Sequence, residues 1–223
     1  MKILGIDTTT KFLCLAIYDN GRVYGYNLEV ATKLSSLLAV TIERVLDSFG
    51  WRAQDIDYFA CGIGPGSFTG IRVGIAAIKG LSWAANKPVI EIPSLDLLAM
   101  NAKDTDKPVI PVIDAKRNLI YCSVYKKKNG MIRKIKPYML LSEKELFKII
   151  KSGAIILGDA IGLYKERIQL NSKGAIFLDK DYWYPKARNI AALALGKIKD
   201  KKLSDAFSVK PIYLYPKDCQ IRK

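Results

Sequence analysis

The chain contains no histidine among its 223 residues. That absence removes the side chain most used as general base and metal ligand, so a Ser-His-Asp triad, an H-E-x-x-H metalloprotease centre and a His-ligated iron or zinc site are all excluded. Cysteine is scarce as well. Cys14, Cys61, Cys122 and Cys219 lie far apart, three of them in apolar strand-like runs, and no C-x-x-C pair suggests zinc or redox chemistry. Buried, reduced thiols are the expectation. The opening MKILGIDTTT reaches Asp7 after one short apolar run, too short for the h-region of a signal peptide or for a membrane span, which predicts a cytoplasmic protein with no membrane partner. Any enzyme built on this chain must work with carboxylates, lysines, hydroxyls or a metal–nucleotide complex.

What is present is a core-forming composition, 50% apolar, and a net charge of +15 that is spread unevenly. Residues 1–106 hold 10 basic against 11 acidic side chains, a balance of −1, whereas residues 107–223 hold 26 against 10, a balance of +16. Clusters such as Lys126-Lys127-Lys128, Arg133-Lys134 with Lys136, and Lys199 with Lys201-Lys202 suit the phosphates of a nucleic acid or an acidic partner. A charge-laced surface of the kind found in heat-adapted or lysine-rich proteins is the competing explanation, because no aromatic side chains interleave to read bases.

Periodicity predicts strands near 2–7, 12–18 and 22–29, a helix near 33–49, a strand near 57–62, a helix near 69–86 and a strand near 88–92. Asp19-Asn20-Gly21 marks a hairpin turn. Leu34, Leu37, Leu38, Ile42, Val45 and Phe49 recur at helical spacing. After a short helix near 94–103 the order begins again, with strands near 109–113, 119–126 and 131–137, a helix at 142–151, a strand at 154–157, a helix at 160–168, a strand at 174–178 and a helix at 186–199. The residues repeat too: Ile6-Asp7 followed by FLCLAIY and a turn at Gly21 parallels Ile113-Asp114 followed by LIYCSVY and a turn at Gly130. This plan predicts an α/β molecule of two lobes, 1–106 and 107–223, with the segment near 205–223 returning to the first lobe. An aspartate from each copy would face the cleft between them.

The duplicated order resembles the actin, Hsp70 and sugar-kinase ATPase superfamily, the ASKHA fold of two RNase H-like units. The resemblance implies that the first turn, Asp7-Thr8-Thr9-Thr10-Lys11, holds phosphate, and that Asp7 and Asp114 reach the metal of a Mg-nucleotide. The second unit is degenerate: where active members carry glycines, this chain has Asp114-Ala115-Lys116-Arg117-Asn118, with a side chain on every residue.

The stretch GIGPGSFTGIRVG at 62–74 looks at first like a phosphate cradle, but it fits no phosphate motif. A P-loop would need Lys after Gly70, a dinucleotide fingerprint would need glycine at Ser67 or Thr69, and a nucleophile elbow around Ser67 would need glycine at Pro65 and Thr69. What remains is a Gly64-Pro65-Gly66 turn, Ser67 or Thr69 as N-cap, and a helix along which Gly70, Gly74, Ala77 and Leu81 form a bare stripe. Each interior glycine costs a helix about 1 kcal/mol relative to alanine, so close approach of another helix is expected in compensation, either within the chain or from a second subunit.

In this setting GPGSFTGIRVG resembles the signature of the TsaB (YeaZ) family, the dimerisation subunit of the bacterial complex that makes N6-threonylcarbamoyladenosine at position 37 of tRNAs. MKILGIDTTT, PVIEIPSLDLLA, PVIDAKRNLIYCSVY and VKPIYLYPKD resemble further family segments, so the likeness covers most of the chain. It departs at Leu34, where relatives often carry histidine, and at Tyr215, where they carry a basic residue. The resemblance implies a non-catalytic scaffold that binds and activates the catalytic subunit TsaD, is joined by the ATPase TsaE, and forms a homodimer when alone. Its implied interface comprises Leu34, Leu38, Gly70, Ile71, Arg72, Gly74, Ala77, Ile78 and Leu81. No tightly bound cofactor is expected, with ATP or ADP and Mg confined to the TsaD interface and tRNA meeting the basic half. The alternative is an ATPase or small-molecule kinase using Asp7, Thr8, Thr9, Thr10 and Asp114. A peptidase has little support, since D-T-T is not the D-T-G of paired-aspartate enzymes.

Overall fold

A computed structural model describes residues 1–30, 33–150 and 153–216. The first unit is a five-stranded sheet in the order β3-β2-β1-β4-β5, built from β1 (Lys2–Asp7), β2 (Phe12–Asp19), β3 (Arg22–Glu29), β4 (Tyr58–Gly64) and β5 (Val89–Pro93). The first three strands form an antiparallel meander, while β4 and β5 run parallel to β1. Parallel strands need crossovers, and the two amphipathic helices supply them: α1 (Leu34–Ser48) and α2 (Phe68–Ala85) cover one face of the sheet. Asn20 and Gly21 take the positive φ values of 43° and 98° that a tight hairpin requires.

The second unit follows α3 (Ser94–Ala99) and repeats the order as β10-β7-β6-β11-β12. Its strands are β6 (Val109–Lys116), β7 (Leu119–Cys122), β8 (Tyr125–Lys128), β9 (Met131–Lys134), β10 (Met139–Ser142), β11 (Ile155–Leu157) and β12 (Ile176–Phe177). The helices α4 (Glu143–Ile149), α5 (Ile161–Asn171) and α6 (Ala187–Lys199) complete the chain's regular structure. Two sheets of the same order are the two-lobed actin/Hsp70-like architecture that the sequence predicts.

Two differences from the predicted layout have physical causes. The stretch expected as one strand at 119–126 breaks into β7 and β8, and the one expected at 131–137 ends at Lys134, with β10 following as a strand of its own. Val124 O accepts from both Ile135 N (2.8 Å) and Lys136 N (3.3 Å), Ser123 Oγ donates to Lys136 O (2.7 Å), and Pro137 has no N–H to continue the ladder. The boundary at residue 106 also fails to follow the packing. Helix α6 lies on the first sheet, opposite α1 and α2: Ile190 and Ala187 pack where side chains at Gly5 and Gly25 would stand, in a core with Ile3, Cys14, Ala16, Ile90 and Ile92. Sequence order gives no sign of this, because the face of α6 is equally apolar whichever sheet it covers. Farther on, Ser204 pairs with Val89, Val209 joins the first core, and Ile212 N donates to Ile63 O (2.8 Å). Cys219 lies outside the described residues.

Candidate functional site

The turn after β1 is where the ATPase superfamily would hold phosphate, and here it is filled from within. Asp7, Thr8 and Thr9 are 0%, 1% and 1% exposed. Asp7 Oδ1 accepts from the Thr9 N–H (3.0 Å) and Thr9 Oγ1 (2.9 Å), and Ser94 Oγ donates to Thr9 Oγ1 (2.9 Å). Thr8 Oγ1 donates to Gly70 O (2.7 Å), and Thr9 O accepts from the Ser67 N–H (2.8 Å). Thr10 Oγ1 accepts from the Phe12 N–H (3.2 Å). Asp7 Oδ2 is buried without a hydrogen-bond partner among the described residues. Burial pushes the Asp7 carboxyl up to about 6, with the Thr9 hydrogen bonds opposing.

The second aspartate is also engaged. Asp114 Oδ1 accepts from the Lys116 N–H (2.8 Å), its Oδ2 pairs with Lys116 Nζ (2.6 Å), and its own N–H donates to Asp159 Oδ1 (3.0 Å). Lys116, Arg117 and Asn118 all have positive φ, at 64°, 52° and 57°, a conformation that asparagine tolerates but that Lys116 and Arg117 disfavour. Among the described residues, no three His, Cys, Asp or Glu side chains gather to hold a metal ion. These groups do not fit a Mg-nucleotide: the Thr8 and Thr9 hydroxyls are spent internally, the Asp7 carboxylate is sealed, and that of Asp114 is bound to lysine. A thiol nucleophile finds no support either, since burial raises the Cys14 and Cys61 pKa values far above the usual range and Cys122 to about 12.

The glycines of 62–74 owe their place to this plugged turn. A Cβ on Gly62 would collide with the Asp7 carboxylate, on Gly66 with Thr9 O, on Gly70 with Thr8 O and on Gly74 with Thr8 Oγ1. Ser67 is the N-cap of α2, accepting from the Gly70 N–H (3.2 Å). The bare stripe expected to meet a partner at Gly70 and Gly74 therefore faces inward, and Leu38, Ile71 and Ile78 are core residues beside it. Of the remaining expected interface positions, Leu34, Ala77 and Leu81 are partly buried against the same core, whereas Arg72 is exposed. Arg72 lies 3.7 Å above the Phe68 ring and donates from Nε to Tyr213 Oη (3.1 Å).

A different stripe of α2 points outward. Ala76, Gly80 and Ala84 are exposed at i, i+4 and i+8, and a Cβ on Gly80 would meet nothing within 4 Å. Val40 across on α1 and Trp83, 70% exposed, flank it. Ala39, Val40, Glu43 and Asp47 of α1 face Ala76, Ala77, Gly80 and Leu81 of α2 across a groove of about 630 Å³. The interface expected from sequence misses this stripe, whose signal is the i, i+4, i+8 spacing of Ala76, Gly80 and Ala84. A shallow, small-residue groove with a tryptophan at its edge suits close packing of another helix.

Comparison with known proteins agrees with this architecture. Residues 28–173 match the family model described as "TsaD: tRNA N6-adenosine threonylcarbamoyltransferase". The tRNA threonylcarbamoyladenosine biosynthesis protein TsaB of Bacillus subtilis (strain 168) is 30% identical over 220 residues, 96% of this chain and 94% of its own. TsaB of Escherichia coli (strain K12) is 32% identical over 134 residues, 59% of this chain and 58% of its own. The solved structure of YeaZ from Pseudomonas aeruginosa superimposes with a TM-score of 0.82 at 25% identity, covering 95% of this chain and all of that one. Among the described residues no helix is long and apolar enough to cross a membrane. A match that runs nearly end to end with the Bacillus protein, on a shared two-lobed fold, establishes that the chain belongs to the TsaB (YeaZ) family.

Proposed function

We propose that this chain serves the synthesis of N6-threonylcarbamoyladenosine in tRNA as a non-catalytic scaffold that docks on and activates TsaD. The observation that carries this reading is the outward groove of α1 and α2, combined with a first-lobe turn whose phosphate-holding groups are consumed internally. A subunit that keeps the fold while sealing its own site acts through its surface. The groove takes a helix of TsaD or, when the chain is alone, the same groove of a second copy. TsaE joins the TsaD-bound assembly, and any ATP or ADP with Mg is held on the TsaD side of the contact rather than by Asp7 and Asp114 here.

The test is Gly80→Leu, because position 80 has room for a side chain and leucine is a better helix former than glycine. The variant should fold with unchanged or higher stability, yet elute as a monomer and fail to co-purify with TsaD. Association indistinguishable from the wild type, measured by light scattering and mass measurement of the complex, would overturn the assignment of this face.

A further inference from the structure

We infer that the hairpin edge of the second sheet, centred on the β8–β9 ribbon, is a binding surface for the phosphodiester backbone of RNA. Between Asp114 and Glu143 the sequence runs for 28 residues with eight basic side chains and no acidic one. That stretch contains β7, β8, β9 and β10. A lysine-rich composition alone does not explain it, since the first half of the same chain balances its charges at −1.

The register concentrates the charge. Lys126 stands directly opposite Arg133 and Lys128 opposite Met131, so Lys126, Lys128 and Arg133 share one exposed face of the ribbon. Like charges directly across a ladder are destabilising, and among the described residues no carboxylate pairs with any of these three. On the other face Lys127 reaches Asp106 (3.7 Å) and Lys134 lies over the Tyr138 ring (3.4 Å).

The chemistry of the ribbon selects its occupant. Lysine is depleted in protein–protein contacts but abundant in nucleic-acid interfaces, which are far more positive. No exposed aromatic ring stands among Lys126, Lys128 and Arg133, so the surface holds backbone and does not read bases. The choice of RNA over other polyanions rests on the proposed role in tRNA modification; the positive surface itself does not.

The test uses the full chain, a fluorescently labelled unmodified tRNA transcript and a salt titration between about 50 and 200 mM. The triple variant Lys126→Thr, Lys128→Thr, Arg133→Thr removes the cross-strand repulsion and should stay folded. It should weaken binding at least about tenfold at the low-salt end and lower the log–log salt slope by about 2. A control triple at Lys148, Lys173 and Lys180, with the same charge loss on the helical side of the lobe, should leave the slope near the wild-type value. An unchanged slope in the ribbon variant, an equal loss in both triples, or a loss confined to phosphatidylserine vesicles would overturn the inference. Gly80→Leu separates the two readings: it tests pairing and should leave the salt slope intact, whereas the ribbon triple should leave co-purification with TsaD intact.

Discussion

At the residue scale, the glycines of α2 have opposite meanings. Gly70 and Gly74 are buried where Thr8 closes on the helix, whereas Gly80 opens to solvent. Gly74→Ala should therefore destabilise the fold by about 1–3 kcal/mol through overpacking, while Gly80→Ala should stabilise it by about 0.5–1 kcal/mol. Urea denaturation of the two variants checks the contrast, and equal shifts would contradict it. Asp7 supplies a pH signature. Its carboxyl rises from an ordinary value of 3.8 to about 6, so between those values the native state binds the proton more tightly than the unfolded chain does. Stability contributed by Asp7 is thus present at pH 4, declines as pH rises through 6, and is lower by about 3 kcal/mol at neutrality. Asp7→Asn should flatten the stability profile between pH 4 and 6.5 and raise stability at pH 7 by about 1–3 kcal/mol. Asp159, also pushed up by burial, retains some slope in the same direction.

At the scale of elements, α2 shows how far a pattern can be read. Its existence, its Ser67 cap and its start beside a tight turn follow from local chemistry, because capping and turn preferences act over three or four residues. Which of its two small-residue stripes faces a partner does not, since both satisfy the same i, i+4 spacing. The turn at Thr8 decides between them by occupying one stripe. Trp83 belongs to the outward face and lies 70% exposed near Gly80. Trp83→Ser should leave stability within about 0.5 kcal/mol but weaken pairing at least about tenfold, as loss of an interfacial tryptophan commonly does. Analytical ultracentrifugation over a concentration series distinguishes that outcome from an unchanged dissociation constant. The β8–β9 ribbon gives the complementary case: its charge is legible residue by residue, but only the register brings Lys126 and Arg133 together on one face.

At the scale of the whole molecule, the last thirty described residues stitch the two lobes together. Ile212 and Tyr213 meet the first lobe at Ile63 and Arg72, while Tyr215 Oη donates to Ala115 O (2.8 Å) in the second. With α6 seated on the first sheet, the chain should unfold in one cooperative transition rather than lobe by lobe. Ile190→Ala, which empties a site 1% exposed between α6 and β1, should cost about 2–5 kcal/mol and lower that single transition without splitting it. A calorimetric trace with two resolved peaks would show that the lobes are independent.

The sequence by itself determined that an α/β unit is duplicated, that an aspartate stands at or near the end of the first strand of each copy, that histidine chemistry is absent and that the halves differ in charge. Each of these is set by local periodicity or by composition, which folding does not alter. Only the tertiary structure decided that Asp7 is sealed beneath α2, that Asp114 is held by Lys116, that α6 crosses to the first sheet and that Gly80 rather than Gly74 faces outward. Those outcomes depend on contacts between residues such as Thr8 and Gly70, 62 positions apart. No local pattern encodes which of two equally apolar or equally small faces another part of the chain will cover.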